Sequence, residues 1–173
     1  MPRLFFALWP DAAVRDALDV AAQKMQRNCG GRVMRRGNLH QTLVFLGEVA
    51  EEKLSRLKAL ATAAATPAPA FNLDFGVIGY WPHNRIVWAA PNLTPDPLTR
   101  LVATLEEALA RAGFDYDRRP YAPHITLVRG ARAPAALPAL RFDWPVTEFV
   151  LVESACGARG AEYRVVARWP LPG

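Results

Sequence analysis

The sequence predicts an α+β fold that mixes helices with antiparallel strands, and three observations lead there. Short apolar runs of strand length alternate with amphipathic stretches of helix length. Two strand-like runs, 71–80 and 85–90, are joined by a connection too short for a parallel crossover, which makes them an antiparallel hairpin. One four-residue pattern recurs about half a chain apart. At 173 residues, 51% hydrophobic and 21% charged, the chain suits a single domain over 1–173 with a sizeable core, and an intrinsically disordered chain is excluded.

The elements follow in order. Residues 3–9, closed by Trp9-Pro10, read as a first strand. No small-residue cleavage site follows them, so they are not expected to be a signal peptide. Asp11 can cap a helix running to about Asn28, with Val14, Leu18, Ala21, Ala22 and Met25 on one face, and Cys29-Gly30-Gly31 ends it. A strand over 40–46 is closed by Gly47, and 51–65 is a helix with Leu54, Leu57 and Leu60 inward. Thr66-Pro67-Ala68-Pro69 breaks the chain before the hairpin, whose turn lies around Pro82-His83-Asn84. Pro95 and Asp96 open a helix carrying Leu98, Leu101, Val102, Leu105 and Leu109, and Gly113 ends it. A strand over 124–129, a Pro/Ala-rich loop over 131–140, and two strands at about 146–154 and 162–169 complete the order β-α-β-α-β-β-α-β-loop-β-β.

Charge and cysteine content narrow the setting. There are 21 basic and 16 acidic side chains, a net charge of +5, and only Lys24, Lys53 and Lys58 among the cations are not Arg. That balance suits a phosphorylated or polyanionic ligand, although GC-rich codon usage accounts for the Arg bias equally well. Cys29 and Cys156 fit neither a disulfide framework nor a metal site. No apolar stretch approaches bilayer-spanning length, so a cytoplasmic, reducing setting without membrane contact is expected.

The recurring pattern is His40-Gln41-Thr42-Leu43 and His124-Ile125-Thr126-Leu127, two copies of H-x-T-L separated by 124 − 40 = 84 positions. With 8 Thr and 20 Leu in 173 residues, a given His gains both by chance with a probability of roughly 0.005, and two of the three histidines do so. Each copy heads a predicted strand, where residues i and i+2 share a face. Each therefore sets an imidazole beside a hydroxyl. The imidazole can give or take a proton near neutrality, and the Thr hydroxyl can donate to a phosphoryl oxygen or fix the ring. Two such pairs across a cleft supply a base, an acid and two donors, the set an in-line displacement at phosphorus requires.

Other chemistries fit less well. A lone H-x-T reads as a hydrogen-bonded structural histidine; it is the repeat that argues for function. Neither H-x-H, H-x-x-x-H nor a Cys cluster is present, so no metal and no cofactor is expected. No G-x-S-x-G elbow supports a Ser-His-Asp triad, and His83 reads as a surface residue of its turn.

At this point the chain resembles the 2H phosphoesterase superfamily and, within it, the bacterial RNA 2′,3′-cyclic phosphodiesterases, also called 2′-5′ RNA ligases. The resemblance covers nearly the whole chain. It rests on the two motifs in the contexts 38–47 and 123–129, on Arg3-Leu4-Phe5-Phe6-Ala7 and Arg85-Ile86-Val87-Trp88, and on Thr147-Glu148-Phe149 and 163–169. It implies a bilobal α+β fold of two pseudo-twofold-related lobes of antiparallel strands with helices outside, each lobe lending one H-x-T strand to a central cleft. It further implies metal-independent hydrolysis of a terminal 2′,3′-cyclic phosphate of RNA or a nucleotide to a 2′-phosphomonoester. By position, His40 corresponds to the general acid and His124 to the general base, with Thr42 and Thr126 holding the phosphate. Ala89-Ala90 departs from the large apolar residue and Gly that relatives often carry there.

Arg129 is a further phosphate-binding candidate, but strict alternation turns it away from His124 unless the strand bends. Arg118 and Arg119 either guide an RNA backbone or decorate a solvated loop, and Trp88 and Phe45 either stack a base or pack the core. The expected protein is a monomeric enzyme acting on cyclic phosphate ends. A ligase or phosphodiesterase for 2′,5′-linked RNA is the alternative on the same scaffold, and a non-catalytic RNA-end binder is the alternative of another class. Paired proton carriers argue against pure binding, which needs Arg and aromatic groups more.

Overall fold

The computed structural model describes residues 1–158 and 160–173, and it places the apolar strand runs side by side in one antiparallel sheet. Among the described residues there are nine strands: β1 (Arg3–Leu8), β2 (Arg32–Val33), β3 (Gln41–Glu48), β4 (Phe71–Trp81), β5 (Ile86–Pro91), β6 (Ile125–Arg129), β7 (Phe142–Val146), β8 (Glu148–Gly157) and β9 (Gly160–Pro170). Three helices accompany them: α1 (Ala12–Cys29), α2 (Leu54–Ala65) and α3 (Asp96–Arg111). The sheet order is β7-β4-β5-β6-β3-β1-β8-β9, with β2 paired to β6. Read outward from the middle, the two halves match. β1-α1-β3 and β5-α3-β6 are the same strand-helix-strand unit, and each is extended by two further antiparallel strands. This is the pseudo-twofold, two-lobed α+β arrangement expected.

The helices form for the reasons their ends and faces give. The Asp11 side chain accepts the Val14 N–H at 2.9 Å and caps α1, and Gly30, at φ 67°, closes it by donating to the Gln26 carbonyl. Leu18 and Met25 of α1, and Leu98, Leu105 and Leu109 of α3, bury fully against one sheet face with Leu4, Phe6 and Leu8. The alternate β1 residues Phe5 and Ala7 pack on the opposite face with Val150 and Val152. β1 is an unbroken apolar run because both of its faces are covered.

The motif strands β3 and β6 meet at a single pair, Gln41 opposite Ile125. Both are fully buried, so the middle residue of each H-x-T faces the helices and the His and Thr face the other way. Beyond this pair the strands part. The Asp117 N–H donates to the Phe45 carbonyl along β3, and the Met34 N–H to the Leu127 carbonyl along β6.

Each motif strand also carries a bulge at the same place. Phe6 and Ala7 face Val44 and Thr42, leaving Leu43 unpaired, and Val87 and Trp88 face Val128 and Thr126, leaving Leu127 unpaired. A bulge inserts one residue and reverses which face the following side chains take. Phe45 and Arg129, which correspond at the 84-residue spacing, thereby turn to the face of the Thr residues.

The structure differs from the sequence reading in its smallest strands. β7 falls where 131–140 was expected to lead straight into a strand at 146, and β2 was not expected. Pro145 obscures β7, yet the strand pairs only with β4 and lies at the sheet edge, where a missing N–H is tolerated. β3 begins one residue later than expected and runs through Gly47, at φ 71°, to Glu48. A 3₁₀ turn over Glu51–Lys53 precedes α2.

Gly79 shows how tightly one wall is built. It lies opposite Trp88, whose ring crosses the bare glycine, so a Cβ there would overlap the indole. Gly79→Ala should therefore lower stability by about 1–3 kcal/mol, as overpacking does. Thermal denaturation measures this; an unchanged midpoint would mean the indole moves freely.

Candidate active site

His40, Thr42, His124 and Thr126 line one cleft of about 330 Å³, together with Arg129 and Phe45. The Gln41–Ile125 pairing makes the arrangement nearly unavoidable. In an antiparallel register that joins 41 to 125, position 40 faces 126 and position 42 faces 124. Each imidazole is thus diagonal to the other and adjacent to the hydroxyl of the opposite motif. The candidates the sequence nominated from positions 84 residues apart converge at the seam.

Arg129 joins them through the bulge at Leu127. Both motifs hold the signal that alternation obscured: Leu43-Val44 and Leu127-Val128 are consecutive buried residues, which a regular half-buried strand does not contain. The remaining candidates lie elsewhere. Arg119 pairs with Asp117, Arg118 lies over the Tyr116 ring at 4.6 Å, and neither lines the cleft. His83 is exposed in its turn, and Trp88 packs over Gly79 against Trp81.

The two rings are held alike. His40 Nδ1 lies 2.7 Å from the Asn38 carbonyl and His124 Nδ1 lies 2.8 Å from the Ala122 carbonyl, each two residues upstream. A carbonyl only accepts, so Nδ1 carries the proton and Nε2 is left as the working nitrogen. Thr42 Oγ1 donates to His40 Nε2 at 3.0 Å. Behind the seam, Gln41 Nε2 donates to the Tyr121 hydroxyl at 3.0 Å, tying β3 to the segment that leads into His124.

The surroundings of the rings are unequal. His40 sits among three aromatic rings: Phe5 at 4.9 Å, Tyr163 edge-on at 5.2 Å and Trp9 stacked at 5.9 Å. Among the described residues His124 meets one ring, Trp81, edge-on at 4.6 Å. Burial beneath the rings pushes His40 down to about 4 against the pull of the Asn38 carbonyl, with His124, Arg15 and Arg129 adding positive charge. His124 is lowered as well, first by burial and then by Arg129.

Arg15 is a buried cation that the sequence reading missed. Its guanidinium covers Trp9 at 4.8 Å and donates to the Pro10 carbonyl at 2.9 Å and the Arg36 carbonyl at 2.6 Å. It thus braces Trp9, the ring stacked on His40, and the turn preceding Asn38. The Arg36 contact has no local sequence signature, since it depends on α1 and the turn before β3 arriving at the same place.

This geometry coincides with what the chain is similar to. The sequence profile of the 2′-5′ RNA ligase superfamily matches residues 12–157. The chain belongs to this superfamily. This superfamily member is 36% identical over 171 residues to the Escherichia coli K12 protein named RNA 2′,3′-cyclic phosphodiesterase, covering 98% of this chain and 96% of that one. It is 35% identical over 184 residues to the Thermus thermophilus protein of the same name, covering 99% and 91%. The crystal structure of Escherichia coli LigT in apo form superimposes with a TM-score of 0.89, at 35% identity over 99% of both chains. LigT complexed with 3′-AMP superimposes with a TM-score of 0.88, at 36% identity over 100% of both.

The depressed pKa of His40 has a consequence for stability. An unfolded histidine titrates near 6.5 and the folded one at about 4, so between these values the unfolded superfamily chain binds more protons. Stability present above about pH 6.5 is lost as the pH falls through about 4. His40→Asn should lose less than wild type over that interval in thermal melts at pH 7 and 4.5. Parallel losses would show that His40 is not buried in its neutral form.

Proposed function

We propose that this superfamily member is an RNA 2′,3′-cyclic phosphodiesterase, which hydrolyses a terminal cyclic phosphate to a 2′-phosphomonoester with His40 and His124 as its proton carriers. The supporting observation is the pairing of two imidazoles in one cleft, each with Nδ1 fixed to a backbone carbonyl and a Thr hydroxyl nearby. The names of the relatives point the same way. His124 Nε2 takes a proton from the attacking water as the water oxygen bonds to phosphorus. The bond from phosphorus to the ribose 3′ oxygen breaks, and His40 Nε2 supplies the proton that oxygen needs. Thr42 and Thr126 donate to the non-bridging oxygens, and the Arg129 guanidinium offsets their charge.

His40 is neutral in the free cleft and must be protonated to act as the acid. The phosphate anion provides for this: negative charge between the imidazoles favours their charged forms and raises both pKa values on binding. Thr42 is then released from His40 Nε2 to meet the phosphate. All of these groups come from one chain, which supports a monomeric enzyme and one bilobal domain over 1–173 as the working unit. The two free thiols, Cys29 buried and Cys156 exposed, suit a reducing cytoplasm. No helix among the described residues is long and apolar enough to cross a membrane.

Turnover of a 2′,3′-cyclic nucleotide tests this reading. His40→Ala and His124→Ala should each lower kcat by about 10²–10⁴-fold, the usual contribution of a positioned acid or base, while His83→Ala keeps the wild-type rate. In the wild type, the bell-shaped profile of kcat should lie at higher pH than that of kcat/KM, because the first reports the complex and the second the free enzyme. Equal sensitivity at His83, or coincident profiles, would contradict the assignment.

A further inference from the structure

The catalytic cleft does not end at Arg129. It opens into a second cavity of about 290 Å³ that shares Asn38, Arg129 and Tyr163 with the first and adds Arg32 and Arg35. Among the described residues, three arginines and no carboxylate line it. Two of them face each other directly: β2 pairs with β6 so that Arg32 is the cross-strand partner of Arg129.

Like charges set opposite one another on neighbouring strands are destabilising. Elsewhere the chain avoids this by pairing arginine with a carboxylate, as at Arg36–Asp16, Arg111–Glu107, Arg164–Glu153 and Arg168–Glu148. Neither Arg32 nor Arg129 has such a partner among the described residues. The fold also makes room for the charge. Gly160, at φ 106°, lies beside the Arg32 guanidinium, and a Cβ there would sit 3.1 Å from its nitrogen. β2 is only two residues long, and one of its two cross-strand pairs sets Arg32 against Arg129.

We propose that the second cavity is a backbone subsite, in which Arg32 and Arg129 hold the phosphodiester on the 5′ side of the nucleotide bearing the cyclic phosphate. The substrate class is then the cyclic end of an oligonucleotide rather than a cyclic mononucleotide. Arg129 lies in both cavities, so one guanidinium spans the reacting phosphate and the next one along the chain. This inference rests on the cyclic phosphodiesterase reading and deepens it. The ligand chemistry is an internucleotide phosphate, which carries no sequence information, so no base preference follows from it.

The experiment compares kcat/KM for a 2′,3′-cyclic mononucleotide and for a trinucleotide with the same cyclic end. It uses wild type, Arg32→Ala, Arg32→Lys and the distant surface control Arg56→Ala, with melting curves to confirm folding. Equilibrium binding of a fluorescent trinucleotide ending in a 2′-phosphate is measured in parallel at several salt concentrations. Wild type should prefer the trinucleotide. Arg32→Ala should reduce the trinucleotide-to-mononucleotide ratio by about tenfold and lower the salt slope of binding by about 0.7, the loss of one phosphate contact on a single strand. Arg32→Lys should keep most of the preference and Arg56→Ala all of it. A wild type without preference, or an unchanged ratio and slope in Arg32→Ala, would overturn the subsite. If no cyclic end is turned over, the phosphodiesterase reading fails. The binding arm still decides the subsite, upheld by Arg32-dependent binding and overturned by its absence.

Discussion

The seam between β3 and β6 is one residue pair long, Gln41 against Ile125, and the rest of the site depends on that brevity. Burial of those two side chains fixes the phase of both strands, because a slip of one residue would move each His and Thr to the helix side. Were the pairing longer, the strands would lie flat against each other and leave no cleft. The segment around Asp117 and the short β2 take up the hydrogen bonds the parted strands would otherwise leave unmet. The cleft is thus a consequence of where the ladder stops.

Symmetry supplies two equivalent half-sites, and the departures from symmetry supply a direction. Among the described residues, three rings around His40 and one against His124 place the imidazoles in different environments, so the proposed proton carriers are not interchangeable. Corresponding bulges turn Phe45 and Arg129 toward the same cleft, but one is an aromatic ring and the other a cation. Arg3 adds a second cation to the cleft from the His40 half, over the Phe45 ring at 5.7 Å. Arg15, packed on Trp9 and bonded to the Pro10 carbonyl, braces the His40 side from behind.

Much of this was legible in the sequence because it is local. The H-x-T-L repeat, the helix caps at Asp11 and Gly30 and the apolar faces of α1 and α3 depend on neighbours within a few residues, and they are where periodicity places them. Orientations and contacts fixed by distant chain were harder to read, including the side to which the candidate Arg129 turns. Arg129 faces the cleft because a bulge reverses the alternation, and the doubled apolar pair after each Thr was its unread trace. β7 was hidden by Pro145, which is acceptable only because nothing pairs with the outer side of that strand. Tyr163 reaches His40 from β9, and Arg15 of α1 adds its charge from behind Trp9, a convergence that no spacing in the sequence encodes.

The central claim is that the two histidines act from opposite sides of phosphorus, with the acid beside the ribose 3′ oxygen. The direction in which the cyclic ester opens reports this directly, since in-line geometry requires the leaving oxygen to lie opposite the attacking water. Phosphorus NMR of the products formed from a 2′,3′-cyclic nucleotide is the decisive measurement. The account predicts a 2′-phosphate with a free 3′-hydroxyl as the predominant product; a predominant 3′-phosphate would contradict it.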